Sequence, residues 1–371
     1  MKRIFSLILV ICLLLCACAK APEETVPTTQ TTTPSTQETT IPPTETQGTT
    51  APETQPTTVP ETEPSLPEAK YEHPLTGVRL EEPMTTRPIL ISINNAKAAM
   101  PLCGLSKADI VYEMLTNQYA TRCLAVITDV YNIELIGAIR SLRYGFVDIT
   151  RSYDGIVVYA GGNTPIIDYL KDSGISHSNA LASAGAYFRD QSRLQAGYAK
   201  EHTLVGMPNL MVDLFNKKGI ATTVPADRNY GLQFAEDGTP ASGEPAKRIT
   251  MSFFTRNKTT TMNYNEATGK YEYFQYGSTM VDGKTDEVIS FRNVFTLFAD
   301  THSEGVYHVA NLLGSGDGYY ACGGKIVPIK WHHANPDDPF TYTLTDGTPL
   351  VQGVGSSYVG IIPTGSAFVY Q

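Results

Sequence analysis

The spacing of apolar and polar positions divides the chain into three parts. An apolar run, interrupted by Ser6, covers residues 4–15 and follows Lys2 and Arg3. Residues 19–69 are almost entirely Thr, Pro, Glu, Gln and Ala, and they contain no aromatic residue. From Tyr71 onward, short apolar runs alternate with turn residues. The pattern therefore predicts a leader, a segment that cannot fold and a folded region.

Strand-like and helix-like patterns alternate between residues 71 and 225. Ile166, Ile167 and Leu170 recur at helical spacing before Gly174, which suits a helix C-terminus. A second amphipathic helix is predicted over 208–218. Apolar runs typical of strands cover 88–93, 123–130, 133–139 and 155–160. Alternation of this kind favours an α/β layered module.

Residues 226–371 have a different pattern of apolar and polar positions, in which helical periodicity is nearly absent. Glycine turns separate several strand-like runs, at 248–254, 271–276, 288–298, 319–321, 325–331 and 340–344. The predicted fold class is therefore α+β, with an N-terminal α/β layered module at 71–225 followed by a β-rich module at 226–371.

The leader has the features of a bacterial lipoprotein signal peptide, residues 1–17. Its apolar run is shorter than the roughly twenty residues that a spanning helix needs. Leu15-Cys16-Ala17-Cys18 resembles the lipobox. That resemblance implies a lipid-modified Cys18, carrying palmitate-type chains, on the extracytoplasmic face of the cell membrane. The alternative is ordinary secretion with cleavage after Ala19.

Residues 18–70 are predicted to form a disordered Thr/Pro/Glu-rich stalk. Such a segment has no apolar surface to bury against the entropy cost of ordering. Its eight Glu residues repel one another and its prolines stiffen it, so the chain extends. The stalk would hold the folded region off the membrane.

Charge and cysteine content exclude several classes of protein. The formal net charge is −9, and the leader and stalk leave the folded region acidic. An acidic region with no basic run argues against a nucleic-acid partner. The folded region has only Cys103, Cys123 and Cys322, without the Cys-x-x-Cys spacing of a structural zinc site.

Several segments resemble a known family. They are HPLTGV (73–78), RPILISINN (87–95), GLSKADIVYE (104–113), IGAIRSLR (136–143), YDGIVVYAGG (153–162) and GYYACGGKIVPIKW (318–331). Together they resemble the YerB-like surface lipoproteins of Gram-positive bacteria, a domain-of-unknown-function family (number 3048) with N- and C-terminal parts. The resemblance implies a role in the cell envelope and supplies no mechanism.

A ligand site is predicted from the charged residues beside the apolar strands. Arg140 and Arg143 follow a strand three residues apart, and the mouth at the carboxyl ends of α/β strands is where such folds bind ligands. Arginine forks suit phosphate or carboxylate. We expect these two residues to share a polar cleft with Asp109, Arg122 and Lys107. The alternative is that the arginines form structural ion pairs with Asp109, Glu113 or Asp148.

A weaker similarity connects the N-terminal module to the LytR-CpsA-Psr phosphotransferases. That resemblance implies Mg²⁺ bound at Asp109 and transfer of a lipid-linked polymer, assisted by Lys107, Arg140 and Arg143. Arg140-Ser141 departs from the Arg-Asp pair of that family, which puts the activity in doubt.

Aromatic residues near the C-terminus suggest one more site. Trp331, with Tyr319 and Tyr320, could line a sugar-binding face, or these rings could be part of a half-buried sheet.

His202 also has two possible roles: it could be a general base or a core histidine.

Three functions follow as hypotheses. The first is a membrane-anchored envelope lipoprotein that binds an anionic wall polymer or a protein of wall synthesis. The second is a Mg²⁺-dependent phosphotransferase. The third is a solute-binding lipoprotein. This is disfavoured because two lobes that close on a ligand should have similar α/β patterns, whereas the two halves of this sequence differ.

Overall fold

Strands are the main regular secondary structure of the described chain. The computed structural model describes residues 70–117, 120–253 and 258–371. The signal peptide, Cys18 and nearly all of the stalk lie outside the described residues, so the predictions made for them stay predictions. The β-rich character is confirmed, and the described residues contain only four α-helices. None of the described helices is long and apolar enough to cross a membrane.

The helices of the described chain all lie in its N-terminal part: α1 (Tyr144–Ser152), α2 (Thr164–Ser173), α3 (Gln191–Gln195) and α4 (Pro208–Lys217). Short 3-10 helices cover Lys97–Ala99, Leu105–Lys107 and Lys200–His202. Asn163 caps α2 by accepting a hydrogen bond from the Ile166 amide, and Gly174 ends it with φ 70°. The helices predicted at 164–173 and 208–218 are thus confirmed.

Ten strands of the described chain precede residue 226: β1 (Tyr71–Glu72), β2 (Arg79–Leu80), β3 (Ile89–Asn94), β4 (Ile110–Asn117), β5 (Ala120–Ile127), β6 (Ile136–Gly137), β7 (Ile156–Tyr159), β8 (Ser176–Asn179), β9 (Tyr187–Arg189) and β10 (Leu204–Gly206).

Sixteen described strands follow: β11 (Phe234–Ala235), β12 (Glu244–Pro245), β13 (Arg248–Ser252), β14 (Thr259–Asn265), β15 (Lys270–Gln275), β16 (Ser278–Thr279), β17 (Ser290–Phe291), β18 (Asn293–Ala299), β19 (Thr301–Glu304), β20 (Tyr307–Ala310), β21 (Gly314–Cys322), β22 (Lys325–His333), β23 (Thr341–Leu344), β24 (Gln352–Gly353), β25 (Ser357–Pro363) and β26 (Phe368–Tyr370).

One large sheet contains strands from both sides of residue 226. Its main order is β12-β22-β21-β18-β25-β4-β5-β3-β7-β8, with β23 on β22 and the β19–β20 hairpin on β4. Strand β25 runs parallel to both β18 and β4 and so joins the two halves. The sequence division at residue 226 stays a prediction, as does a layered α/β module at 71–225, whose strands continue into this shared sheet.

Both faces of the large sheet are buried at its central strands, β3, β4, β5, β7 and β25. Because neighbouring side chains of a strand point to opposite faces, Leu90 and Ile91 enter different hydrophobic clusters. Leu90 packs in a cluster with Phe146 of α1 and Leu170 of α2. Ile91 packs in a cluster that includes Tyr273 of a second sheet, of order β16-β15-β14-β13-β26 with β17 on β15. Burial on both faces explains the almost continuous apolar runs of β3 and β7.

The strand predicted at 133–139 is much shorter in the structure. Only β6, Ile136–Gly137, is a strand, and it lies in a small sheet of order β6-β10-β9. Gly137 also exchanges two backbone hydrogen bonds with Cys103, and Ile139 forms a bridge to Ile93. The residues of this apolar run therefore pair with several different segments and do not form one continuous strand.

Candidate functional site

The segment from Arg140 to Arg143 crosses the carboxyl ends of β3 and β7. The Arg140 amide donates to the Ser92 carbonyl, and the Arg140 carbonyl accepts from the Ala160 amide. The Leu142 amide donates to the Gly161 carbonyl. Backbone bonds to two parallel strands thus hold the segment at the edge where ligands bind in such sheets.

Arg122, at the start of β5, lies against this segment. Its Nη1 donates to the Ser141 carbonyl at 2.7 Å, and only 9% of the residue is exposed. Burial, then the positive charges of Arg143 and Arg140, lower the pKa of Arg122. An arginine keeps its proton at neutral pH, so Arg122 carries its positive charge in a buried position that has two further cations nearby.

Arg143 is also buried, at 8% exposure, and is the residue before α1. Its Nη1 donates to the Leu142 carbonyl at 2.6 Å, and its guanidinium lies 4.7 Å from the ring centre of Tyr307. Its Nε has no hydrogen-bond partner among the described residues. Burial is the main cause that lowers the pKa of Arg143.

Arg140 is the most accessible of the three. Its Nη1 donates to the Glu201 carbonyl at 3.2 Å, and its Nη2 lies 3.8 Å from the Glu201 carboxylate. That carboxylate side chain is 59% exposed, so the ion pair is weak. The Nε of Arg140 is buried without a partner in the described chain. We call Arg122, Arg140 and Arg143 the arginine cluster; within the described residues, Glu201 is its one carboxylate partner.

His202 lies beside the cluster in a mostly buried position. Its Nδ1 is 2.8 Å from the Asn94 side-chain nitrogen. Burial and then the charge of Arg140 lower the pKa of His202. The histidine is therefore biased to its neutral form and does not add to the charge of the cluster.

Asp109 and Lys107 do not join the cluster, which corrects the expectation that all five residues converge. Strands β4 and β5 are antiparallel, and Arg122 lies opposite Met114. Asp109 precedes Met114 by five residues, so a strand rise of about 3.4 Å per residue places it roughly 17 Å away. Lys107 instead forms an ion pair with Glu287 at 2.7 Å.

The carboxylates that could neutralise the arginines are engaged elsewhere. Asp109 accepts a hydrogen bond from Thr128 at 2.7 Å, and Asp148 accepts one from Tyr169 at 2.5 Å. Glu113 forms a buried ion pair with Lys258 at 3.4 Å. The alternative of structural pairing with Asp109, Glu113 or Asp148 is therefore wrong for these arginines.

The active-site arrangement implied by the LytR-CpsA-Psr resemblance is not present in the described chain, because Asp109 lies far from the arginines. The described residues also contain no group of three or more His, Cys, Asp or Glu side chains placed to hold a metal ion.

Sequence reasoning missed Glu201 and Tyr307, which contact Arg140 and Arg143. Both come from distant parts of the chain, and no local pattern connects them to the arginines. Glu201 lies in the 3-10 helix before β10, and Tyr307 begins β20, where it pairs with Asn117 of β4.

Comparison with known proteins gives consistent results. Residues 75–220 match "Protein of unknown function (DUF3048) N-terminal domain", and residues 249–359 match the C-terminal domain of the same family. "Putative lipoprotein YerB" of Bacillus subtilis (strain 168) is 27% identical over 302 residues, which are 79% of this chain and 87% of that protein.

The fold is also similar to a solved structure. The crystal structure of the YerB protein from Bacillus subtilis superposes with a TM-score of 0.70 at 23% identity, over 81% of this chain and 100% of that one. The two matched domains, in order along one chain, and the shared fold show that this protein belongs to the DUF3048, or YerB-like, family.

Proposed function

We propose that this protein is a cell-envelope lipoprotein that binds an anionic envelope component at the arginine cluster. The lipobox-like sequence at Leu15–Cys18 and a relative named as a lipoprotein support an anchor at Cys18, on the extracytoplasmic face of the membrane. The stalk would then present the folded region to the envelope.

Uncompensated buried charge is the observation that carries the proposal. Arg122 and Arg143 are more than nine-tenths buried, and the carboxylate nearest to the cluster is mostly exposed. A buried charge is costly unless it is paired. An anion seated between the guanidiniums would supply the missing partner, and surplus cations attract an anion even to an acidic protein.

The geometry favours a small anionic group on a flexible molecule. Arg122 and Arg143 expose little surface, so only a small group such as a phosphate or carboxylate can enter between the guanidiniums and contact them. A flat protein surface would contact mainly Arg140, which is more exposed. An anionic wall polymer fits this better than an acidic face of a wall-synthesis protein. A Mg²⁺-dependent transfer has no support from the site, because its proposed metal ligand, Asp109, lies elsewhere.

Calorimetric titration of the soluble domain with inorganic phosphate and glycerol 3-phosphate tests the proposal. We expect binding that weakens as salt is raised and that falls about tenfold or more in Arg140→Ala. Arg79→Ala is the matched control, since it also removes one positive charge from a 3.8 Å ion pair.

Stability must be measured on the same variants. Arg140→Ala should lower the free energy of unfolding by less than about 1 kcal/mol, as expected for a weak exposed pair. A loss of about 3–5 kcal/mol, with no anion binding by the wild type, would show a structural ion pair and end the proposal.

A further inference from the structure

A fourth arginine, Arg189, lies beside the arginine cluster. It is the last residue of β9 and lies opposite Leu204 of β10. The Leu204 carbonyl accepts a hydrogen bond from the Ile139 amide, and Ile139 directly precedes Arg140. Because β10 is the middle strand of the small sheet, Arg189 and Arg140 are held on the two sides of Leu204.

The side chains of Arg189 and Arg140 bind consecutive carbonyls of one short 3-10 helix. Nη1 of Arg189 donates to the Lys200 carbonyl at 2.5 Å. Nη1 of Arg140 donates to the Glu201 carbonyl at 3.2 Å. Since consecutive residues are about 3.8 Å apart, these bonds place the two Nη1 atoms within roughly 10 Å of each other. Burial, then the charge of Arg140, lower the pKa of Arg189.

Arg189 forms no ion pair with a carboxylate of the described residues. Its sequence neighbour Asp190 accepts a hydrogen bond from the Arg193 amide at 3.2 Å and caps α3 instead. Glu201 is therefore the one carboxylate partner that the described chain gives to the arginine cluster and Arg189 together, and its side chain is 59% exposed. Four positive charges thus share one weak countercharge.

The four guanidinium groups extend from a buried end to a more open end. Arg122 and Arg143 are more than nine-tenths buried, whereas Arg140 and Arg189 are partly exposed. The charges of Arg143 and Arg140 both act on Arg122, but among the four only Arg140 acts on Arg189. Arg140 therefore lies between the buried pair and Arg189. One small anion seated in the cluster leaves Arg189 without a partner.

We propose that Arg189 forms a second anion subsite, so that the ligand is an extended chain carrying at least two phosphate groups. One phosphate lies between the guanidiniums of the arginine cluster, and the next phosphate along the chain contacts Arg189. This inference rests on the anion site proposed above and names the class of its ligand.

Phosphate groups fit the cluster better than carboxylates do. The three guanidiniums come from different elements: Arg122 from β5, Arg143 from the start of α1, and Arg140 from the segment before it. A carboxylate holds two oxygens in one plane and matches a single guanidinium fork, whereas a tetrahedral phosphate directs its oxygens toward several donors. Helix α1 also begins at Arg143 without a side-chain cap, and the amides of a helix start favour phosphate.

Calorimetric titration of the soluble domain with two matched probes tests the second subsite. Di(glycerol) phosphate carries one phosphodiester, and a synthetic glycerol phosphate oligomer carries four. Four equivalent groups alone raise the apparent affinity about fourfold. If a second phosphate binds at Arg189, the oligomer should bind at least about twentyfold more tightly than the single phosphodiester. Its binding should also weaken more steeply as salt is raised.

Variants assign the additional affinity to Arg189. Arg189→Gln should weaken oligomer binding by about fivefold or more and leave the single phosphodiester unchanged. The Lys200 carbonyl also accepts from the amide and hydroxyl of Thr203, so this change leaves no backbone group unpaired. Arg189→Lys keeps the charge and should retain most of the affinity. Arg140→Ala should weaken both probes, and Arg79→Ala should weaken neither.

The possible failures of this inference differ from failure of the anion site. An oligomer that binds no more than about fourfold more tightly than the single phosphodiester would overturn the second subsite alone. So would an Arg189→Gln variant that weakens both probes equally or neither. A tetraglutamate peptide that binds as tightly as the oligomer would contradict phosphate as the ligand class. If neither phosphate probe binds, the anion-binding proposal itself fails.

Discussion

Glu113 has no exposed surface, yet both of its carboxylate oxygens have partners. Tyr273 and Tyr358 donate to Oε2 at 2.8 Å, Thr121 donates to Oε1 at 2.6 Å, and Lys258 lies 3.4 Å away. Burial alone raises the pKa of Glu113, but Lys258 and the hydroxyl donors outweigh it and lower that pKa. This residue therefore holds strands of the two sheets together as an anion and cannot serve the arginine cluster.

Glu113→Gln should reduce the free energy of unfolding by about 3–5 kcal/mol, because it leaves Lys258 buried without a countercharge. Urea unfolding measures the change. Glu287→Gln, in the exposed pair with Lys107, is the control and should cost less than about 1 kcal/mol. Equal small losses in both variants would show that the buried pair is not stabilising.

Two neighbouring groups near Thr128 respond to pH in opposite ways. Burial raises the pKa of Asp109 to about 7, and burial lowers the pKa of His73 to about 4. A raised pKa gives stability that is present below the unfolded value and lost as pH rises through about 7. A lowered pKa gives stability that is present above the unfolded value and lost as pH falls through about 4.

Asp109→Asn should remove the first of these contributions and leave the second. Relative to the wild type, the variant should then gain stability as pH rises from about 4 to 7. Denaturant unfolding at several pH values between about 4 and 7 measures the difference in the free energy of unfolding between the variant and the wild type. Groups that titrate equally in both proteins do not contribute to this difference. Parallel curves for the two proteins would contradict the raised pKa of Asp109.

At the scale of elements, strand β4 links the two halves of the sequence and positions the arginine cluster. It pairs in parallel with β25 on one side and antiparallel with β5 on the other, so it connects the two sequence modules. The antiparallel pairing of β4 with β5 also determines which residues meet. It places Arg122 at the arginine cluster and Asp109 at the opposite end of the strand pair.

Fragments 70–225 and 226–371 should each fail to unfold cooperatively when produced alone. Each would lose a ladder between β4 and β25 and expose an apolar sheet face. Circular dichroism during heating tests this, with co-expression of the two fragments as the control that should restore a cooperative transition. A fragment 70–225 that melts like the whole domain would support independent modules.

Local signals account for the elements that could be predicted. Asn163, Gly174 and Pro208 indicate the ends of α2 and α4, and the apolar runs of β3 and β7 indicate buried strands. The ladder between β4 and β25 joins residues far apart in sequence, which no spacing rule reveals. Arg140 and Arg143 could be assigned to one site because they are three residues apart in sequence. Their contacts with Glu201 and Tyr307, and the position of Asp109, depend on long-range pairing and could not be predicted.

At the scale of the whole molecule, the folded region is one compact unit, and the predicted leader and stalk precede it in sequence. The proposed function requires that this unit stay near the envelope. In the proposal, the predicted lipid anchor at Cys18 provides this attachment.

Cys18→Ala should abolish incorporation of a palmitate analogue and release the protein into the medium or leave it unprocessed. Metabolic labelling followed by fractionation measures both. Cys103→Ala is a suitable control, since Cys103 is a buried thiol of the folded region. Equal labelling of the wild type and Cys18→Ala would contradict the lipid anchor.

The claim that the arginine cluster lacks a countercharge can be tested most directly by NMR of arginine side chains. The Nε groups of Arg140 and Arg143 have no partner in the described chain, so their ¹H–¹⁵N signals should shift on addition of inorganic phosphate. Arg140→Lys and Arg143→Lys assign the signals, and Arg79 serves as an exposed reference. Saturable shifts of Arg140 and Arg143, with none at Arg79, are the predicted result. Signals of Arg140 and Arg143 that stay unchanged, or that shift no more than Arg79, would contradict an anion site at the cluster.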